Sequence, residues 1–336
     1  VELGYELETL GRNNFEGTRQ GAFTAHPKID PSSGEMHAMT YAWPQWLDHV
    51  QYVVVASNGY VRKTLDIPLP GMTMMHDMSL TEKYAIIYDQ PVTVNFNLLE
   101  EGSNFPFSWS PDYGNRVGFL PRLGDVDDIV WVDAPVGYAF HPMNAFDNDD
   151  GSVTIDLCKY EKLFDTDLRG PLGDGLPRLE RWNVNPESRS VTIDVIDERA
   201  NEFPRHRHDV GGQPYRYGYS VSISSDPTDG WQTLKHDLQS GETMVFDHGA
   251  GRAGGEAVFV PKEASNEEDA GYLMTFVHNL NNDSAEFVVI DAQDFSRGYV
   301  AQVKIPKRIP FGFHGNWVSD KSCLLYTSPS PRDNNR

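Results

Sequence analysis

Four of the eleven histidines in the chain share one setting. His26 in AHPKID, His76 in MMHDMS, His141 in YAFHPMNAF and His314 in FGFHGNW each lie beside a turn-forming or small residue, where a strand-like run begins or ends. Taken singly, each fits a buried imidazole hydrogen-bonded to backbone as well as it fits a ligand. As a set they fit a metal site, because neutral imidazole nitrogen suits iron, copper, zinc and nickel. Four neutral donors leave a divalent ion's charge uncompensated. Carboxylates behind the rings are then expected, fixing the tautomers through the other ring nitrogen. Glu202 in NEFPR and Glu256 in GEAVFVPK, each followed by apolar residues and a proline, answer that need, although the same pattern fits a surface glutamate.

These histidines are too far apart in sequence for a local motif, so joint binding requires a closed fold that brings different strands to one point. Short runs alternate aromatic or β-branched residues with polar ones between Asp, Asn, Gly and Pro, as in HAMTYAW, KYAIIYDQPVTVNF, DIVWVDAP, GSVTIDLCKYE, RSVTIDVID and GYLMTFVHNL. That is a strand-and-turn pattern, not the 3.6-residue period of helices. About a dozen such runs across the whole chain predict an all-β architecture, and a propeller more than one small sandwich. The inner strands of a propeller face a common axis, where the histidines would meet. Asn58-Gly59 and Asp150-Gly151 mark two hairpin turns on the rim.

Composition excludes several classes. The chain has 336 residues, 28 Lys and Arg against 49 Asp and Glu, and a formal net charge of -21, a field that repels nucleic acid and anionic lipid headgroups. Two cysteines, Cys158 and Cys323, make neither a disulfide scaffold nor a thiolate metal site, and a reducing, cytoplasmic setting is expected. No apolar run approaches bilayer-spanning length, so the chain reads as soluble, with peripheral membrane contact left open. The first residue is Val1, and the opening reads as mid-strand, as if the N-terminal part were missing. Residues 1–320 read as one domain. Residues 321–336, with their Ser, Pro and Asn, read as a disordered tail of cloning or assembly character.

Other motifs have plainer readings. GAGRAGG contains Gly249, Gly251 and Gly254 at nucleotide-loop spacing, but the EAVFVP that follows reads as strand, which predicts a loop. His206 and His208 in HRH would share one face of a strand as an adventitious metal pair, while the flanking Arg and Asp favour an exposed loop. DNDDG lacks the twelve-residue calcium spacing and reads as a solvated turn. No G-x-S-x-G elbow occurs, and His37, His49, His236, His248 and His278 receive no role.

Six blocks, AHPKIDPSSGE, MMHDMSLTEKYAIIYDQP, FHPMNAFDNDDG, NEFPR, EAVFVPK with EEDAGYLMTFVHN, and RIPFGFHGNW, resemble in order the signature blocks of the carotenoid cleavage oxygenases, a family that includes lignostilbene dioxygenases and the retinoid isomerase of retinal pigment epithelium. The resemblance extends from about Leu7 to about Val318. It implies a seven-bladed β-propeller with one ferrous, non-haem iron on its axis, held by His26, His76, His141 and His314, with Glu202 and Glu256 behind them. A third such glutamate would lie upstream of this chain. Pro142 and Asn144 would shape a turn behind His141.

The implied activity is cleavage of a C=C double bond in a carotenoid or apocarotenoid polyene by O2, giving aldehyde or ketone products. A phenolic stilbene is the alternative substrate. Either would need an apolar tunnel to the iron, for which Phe140, Phe259 and Phe313 are the candidate walls, although core packing explains the same residues. Two competing expectations are a propeller that has lost catalysis and serves as a binding module, which the four filled histidine positions disfavour, and isomerohydrolase chemistry on the same metal.

Overall fold

In the computed structural model, residues 2–319 are described, apart from 20, 43, 44, 47, 169 and 264. Cys323 and the expected tail fall outside the described residues. Strands are the main regular structure of the described residues, and the α-helix Phe96–Glu100, capped by the Asn95 side chain on the amides of Asn97 and Leu98, is only five residues long.

Among the described residues, five larger antiparallel units follow one another along the chain, besides the two-stranded pairs Glu2–Leu3 with Thr9–Gly11 and Val92–Val94 with Phe107–Trp109. The first comprises Lys28–Ile29, Met36–Thr40, His49–Val55 and Val61–Pro68. The second comprises Met78–Leu80, Tyr84–Asp89, Arg116–Pro121 and Val130–Asp133. The third comprises Tyr138–Asp147, Val153–Tyr160, Arg178–Asn185 and the first part of the 17-residue strand Ser190–His206. That strand does not stop at the sheet edge. Its last residues, from Asn201, become the first strand of the fourth unit, followed by Tyr217–Ser222, Gln232–Asp237 and Glu242–Phe246. In the fifth unit, Arg252–Gly254 and Val258–Pro261 both pair with Gly271–Asn279, which continues to Ser284–Asp291 and Tyr299–Ile305.

The units pack face to face as propeller blades, and the sequence shows why. Along YAIIYD, Ala85 and Ile87 pack toward the first blade with Met39, Tyr52 and Val54, whereas Ile86 and Tyr88 pack toward the third with Ile155, Leu157 and Trp182. A strand covered on both faces is apolar throughout, which is why this run does not alternate. Each fully buried side chain of this kind stabilises the fold by about 1.5–3 kcal/mol.

Both expected hairpin turns are present. Gly59 (φ +86°) follows Asn58, and Gly151 (φ +83°) follows Asp150, whose carboxylate accepts from the Ser152 amide at 2.9 Å and its hydroxyl at 2.6 Å. That carboxylate is spent on the turn, as a solvated turn requires. GAGRAGG turns through Gly249 and Gly251 into the strand Arg252–Gly254, with no helix after it.

Among the strands that escaped the pattern reading are Arg116–Pro121, Arg178–Asn185 and Gln232–Asp237. Each carries a charged residue whose partner lies elsewhere in the chain. Arg181 makes two 2.8 Å bonds to buried Asp156, and Lys235 is buried with Asp269 at 2.6 Å and the Ala292 carbonyl at 2.7 Å.

Candidate metal centre

Three of the candidate residues sit just before a strand of a blade. His26 precedes the strand at Lys28 by two residues, His76 precedes the strand at Met78 by two, and Glu256 precedes the strand at Val258 by two. Glu202 lies at the start of the segment that opens the fourth blade. His314 follows the last strand, in a segment without strand structure.

His141 was expected near a turn but lies within the strand Tyr138–Asp147. Register shifts on both sides of Pro142 make that stretch a bulge, which re-aims the ring without ending the strand. Proline suits the bulge, having no N–H for the ladder. Asn144 does not shape a turn here. It ties this strand to the loop after the fourth blade's first strand, donating to the carbonyls of Val210 and Gln213 and accepting from the Gly212 amide.

The structure brings all four histidines together. One ring nitrogen from each of His26, His76, His141 and His314 lies within 4.8 Å of the others. The Nε2 atoms of His26 and His76 are 3.1 Å apart. The Nε2 atom of His141 is buried and has no hydrogen-bond partner among the described residues. An imidazole nitrogen left bare in a cluster of imidazoles is the arrangement a cation satisfies, and a buried polar atom without a partner is otherwise costly.

Both glutamates stand behind a ring, not on the surface. Glu202 is 3% exposed, and its Oε2 lies 2.7 Å from Nδ1 of His141 while also accepting the Phe203 amide. Glu256 Oε1 lies 3.2 Å from Nδ1 of His314, and its Oε2 accepts the Gly315 amide at 2.9 Å. These contacts keep both protons on Nδ1 and turn Nε2 inward. Behind the other rings, Asp77 is 3.9 Å from Nδ1 of His26 and is paired with Lys28 at 2.8 Å. Sequence reading missed Asp77 and Lys28. The residue after His76 was legible as acidic, but its pairing across two blades was not.

The electrostatics favour neutral donors at two positions. Burial, then the neighbouring imidazoles and Lys28, push the His26 ring far below its ordinary value, and burial with His141 pushes His76 down to about 3. Burial acts against charge on His141 too, but the adjacent Glu202 carboxylate outweighs it and raises that ring. For Glu256, burial is outweighed by His314 and Arg205, which hold the carboxyl below its usual value.

Two surroundings meet at the centre. On one side lies an apolar cluster of Met74, Phe107, Trp109, Tyr138, Tyr160 and Phe164, with Phe140 against it. The Tyr138 hydroxyl donates to the Met74 carbonyl at 2.8 Å, holding the segment that carries His76. On the other side a cavity of about 590 Å³ runs past His26, Lys28, Ser79, Asn144, Arg205 and His314.

The three expected tunnel phenylalanines have different fates. Phe140 packs edge-on to His76, ring centroids 4.8 Å apart, and lies nearly parallel to His141. Phe259 lines the cavity and stacks on Tyr219. Phe313 does not belong to that wall: it is 71% exposed, because the segment around it lies outside any sheet. His206 also departs from expectation. It is not in an exposed loop but ends the strand Ser190–His206, half-buried at the cavity, with Nδ1 2.7 Å from the Arg207 carbonyl, while His208 is exposed. His37, His236 and His248 are buried core histidines bonded to Tyr52, to Ser220 and to Thr233.

Comparison with known proteins agrees with this geometry. Residues 4–319 match the model of the family described as retinal pigment epithelial membrane protein. A carotenoid cleavage oxygenase of Mycobacterium tuberculosis is 34% identical, over 94% of this chain and 72% of its own length. A carotenoid 9,10(9',10')-cleavage dioxygenase of Crocus sativus is 32% identical, over 94% of this chain and 61% of its own length. Among solved structures, a mutant of Synechocystis apocarotenoid oxygenase has a TM-score of 0.84 at 26% identity, covering 94% of this chain and 69% of that one. A lignostilbene dioxygenase of Pseudomonas brassicacearum has a TM-score of 0.84 at 28% identity, covering 93% and 69%. The chain thus spans 61–72% of the length of these relatives.

Proposed function

The chain belongs to the retinal pigment epithelial membrane protein family, that of the carotenoid cleavage oxygenases, and from that premise we propose that its four imidazoles hold one ferrous ion and that its substrate is a carotenoid or apocarotenoid polyene. Family membership makes it an oxygenase, a class of enzyme that incorporates O2. The finer reading is scission of one C=C bond into two carbonyl products.

The observation that carries the proposal is the convergence of His26, His76, His141 and His314 with the His141 Nε2 buried and unpartnered. Four nitrogens and no carboxylate among the ligating atoms suit a transition metal better than calcium or magnesium, which take oxygen donors. Such an ion, when bound, supplies the activation of dioxygen that no side chain can provide.

The protein's own contribution is positional. Glu202 and Glu256 keep the Nδ1 protons of His141 and His314, so each Nε2 offers a lone pair. Phe140 and the buried Met74, Tyr138 and Phe164 cluster exclude water on one side of the imidazoles. No nucleophile or general base is required of this site.

A stilbene is the second reading, favoured by the likeness to the lignostilbene dioxygenase. The test has two parts. Elemental analysis of chelator-free protein should give about one iron per chain and almost none in His314→Ala. Incubation with polyenes and stilbenes under 18O2 should then place label in aldehyde products from one class only. A folded parent reconstituted with ferrous ion that retains no iron would sink the proposal and leave a binding propeller.

A further inference from the structure

We infer that Phe203 is a positioning residue that sets the imidazoles of His141 and His314 against each other, and that its backbone is held out of its preferred conformation to do so. The inference rests on reading the four imidazoles as a metal centre.

Phe203 has φ +55°, in the left-handed region that bulky residues avoid. The next residue, Pro204, restricts it further toward extended conformations. The other six non-glycine residues with positive φ among the described ones, such as Arg189 and Asp283, lie outside strands. Phe203 lies inside Ser190–His206, at the register shift between Glu202 and Arg205. A conformation of this kind persists only where its surroundings impose it.

The unusual backbone has two geometric effects. It turns the Phe203 amide onto Glu202 Oε2, the oxygen that faces Nδ1 of His141. It also lays the phenyl ring against two imidazoles at once, 5.8 Å and 28° from His141 and 5.7 Å and 73° from His314. On an extended backbone the side chain would fall on the alternate face of the strand and leave both rings. Phe140 makes the complementary bridge between His76 and His141 from an ordinary backbone. A residue serving only as apolar filler would not need the left-handed conformation.

Substitutions at this position separate the backbone from the ring. Phe203→Gly relieves the backbone and removes the ring, Phe203→Tyr keeps the ring, and Phe203→Leu keeps apolar volume without a flat face. Three readouts are needed: the thermal unfolding midpoint, Co2+ uptake by titration, and 13Cε1 relaxation of the histidine rings in metal-free protein. Phe203→Gly should keep or raise the midpoint, weaken Co2+ uptake by about 10-fold or more, and make His141 and His314 mobile while His76 stays ordered. Phe203→Tyr should restore both properties and Phe203→Leu neither. Parent-like Co2+ uptake and ring order in Phe203→Gly, or equal rescue by Leu and Tyr, would make Phe203 a filler. If the parent takes up no Co2+, the metal reading fails, and the ring mobilities alone decide the role of Phe203.

Discussion

Glu202 faces His141 through one oxygen only: its Oε2 lies 2.7 Å from Nδ1, while its Oε1 is buried without a partner among the described residues. The His141 proton is therefore fixed on Nδ1, and its Nε2 is the free end. Substituting Glu202→Gln keeps an acceptor for that proton and removes the charge. Metal affinity should fall about 10- to 100-fold, measured by competition with a chelator. Unchanged affinity would show that His141 does not depend on the carboxylate.

Glu256 should matter to a segment as well as to a ring. His314 lies outside any strand, and Glu256 grips both its Nδ1 and the Gly315 amide, with Arg205 3.6 Å from the same carboxylate. Glu256→Ala should raise amide hydrogen exchange across residues 306–319 while the strands Gly271–Asn279 and Ser284–Asp291 stay protected. Uniform protection in both proteins would mean that other contacts hold the segment.

Acid should unfold the protein through its buried histidines. Burial, chiefly, pushes His37, His206 and His248 down to about 4 from an ordinary value of 6.5. Unfolding therefore takes up protons between those limits. The stability these neutral rings contribute is complete above pH 6.5 and is lost as pH falls toward 4. Each ring adds up to about 1.4 kcal/mol per pH unit to the slope of unfolding free energy. Urea titrations at several pH values should show that slope, and His248→Gln should reduce it by about one proton.

Asp156 is the charge whose loss the core should tolerate least. It is fully buried and accepts two bonds from Arg181 and one from the Tyr215 hydroxyl. Asp156→Ala leaves the guanidinium half-buried without its partner and should cost about 3–5 kcal/mol in urea unfolding. A loss below about 1 kcal/mol would show that the pair is screened as a surface pair is.

The clustering of the four histidines was legible in sequence because their shared setting and residue type single them out. His26 and His141 each precede a proline, and the candidate histidines and glutamates converge once the strands are closed on an axis. Blade edges were less legible. Arg181 and Lys235 make the strands around them look polar, and only pairing with Asp156 and Asp269 reveals them as buried. Phe313 was misplaced because being adjacent to a ligand in sequence does not fix which way a side chain faces in a segment without a sheet. Phe203 left no trace in the pattern, since a positive φ at phenylalanine follows from its surroundings.

The strand Ser190–His206 edges one blade with its first part and opens the next at the axis with its last. A loop between two blades would let either one open alone. Here no slack separates them, so the two sheets share one cooperative fate, and detaching the outer edge of the third blade pulls directly on Glu202. The stability of the histidine cluster's surroundings is thereby tied to the rim of the fold, where the same continuous strand begins at Ser190.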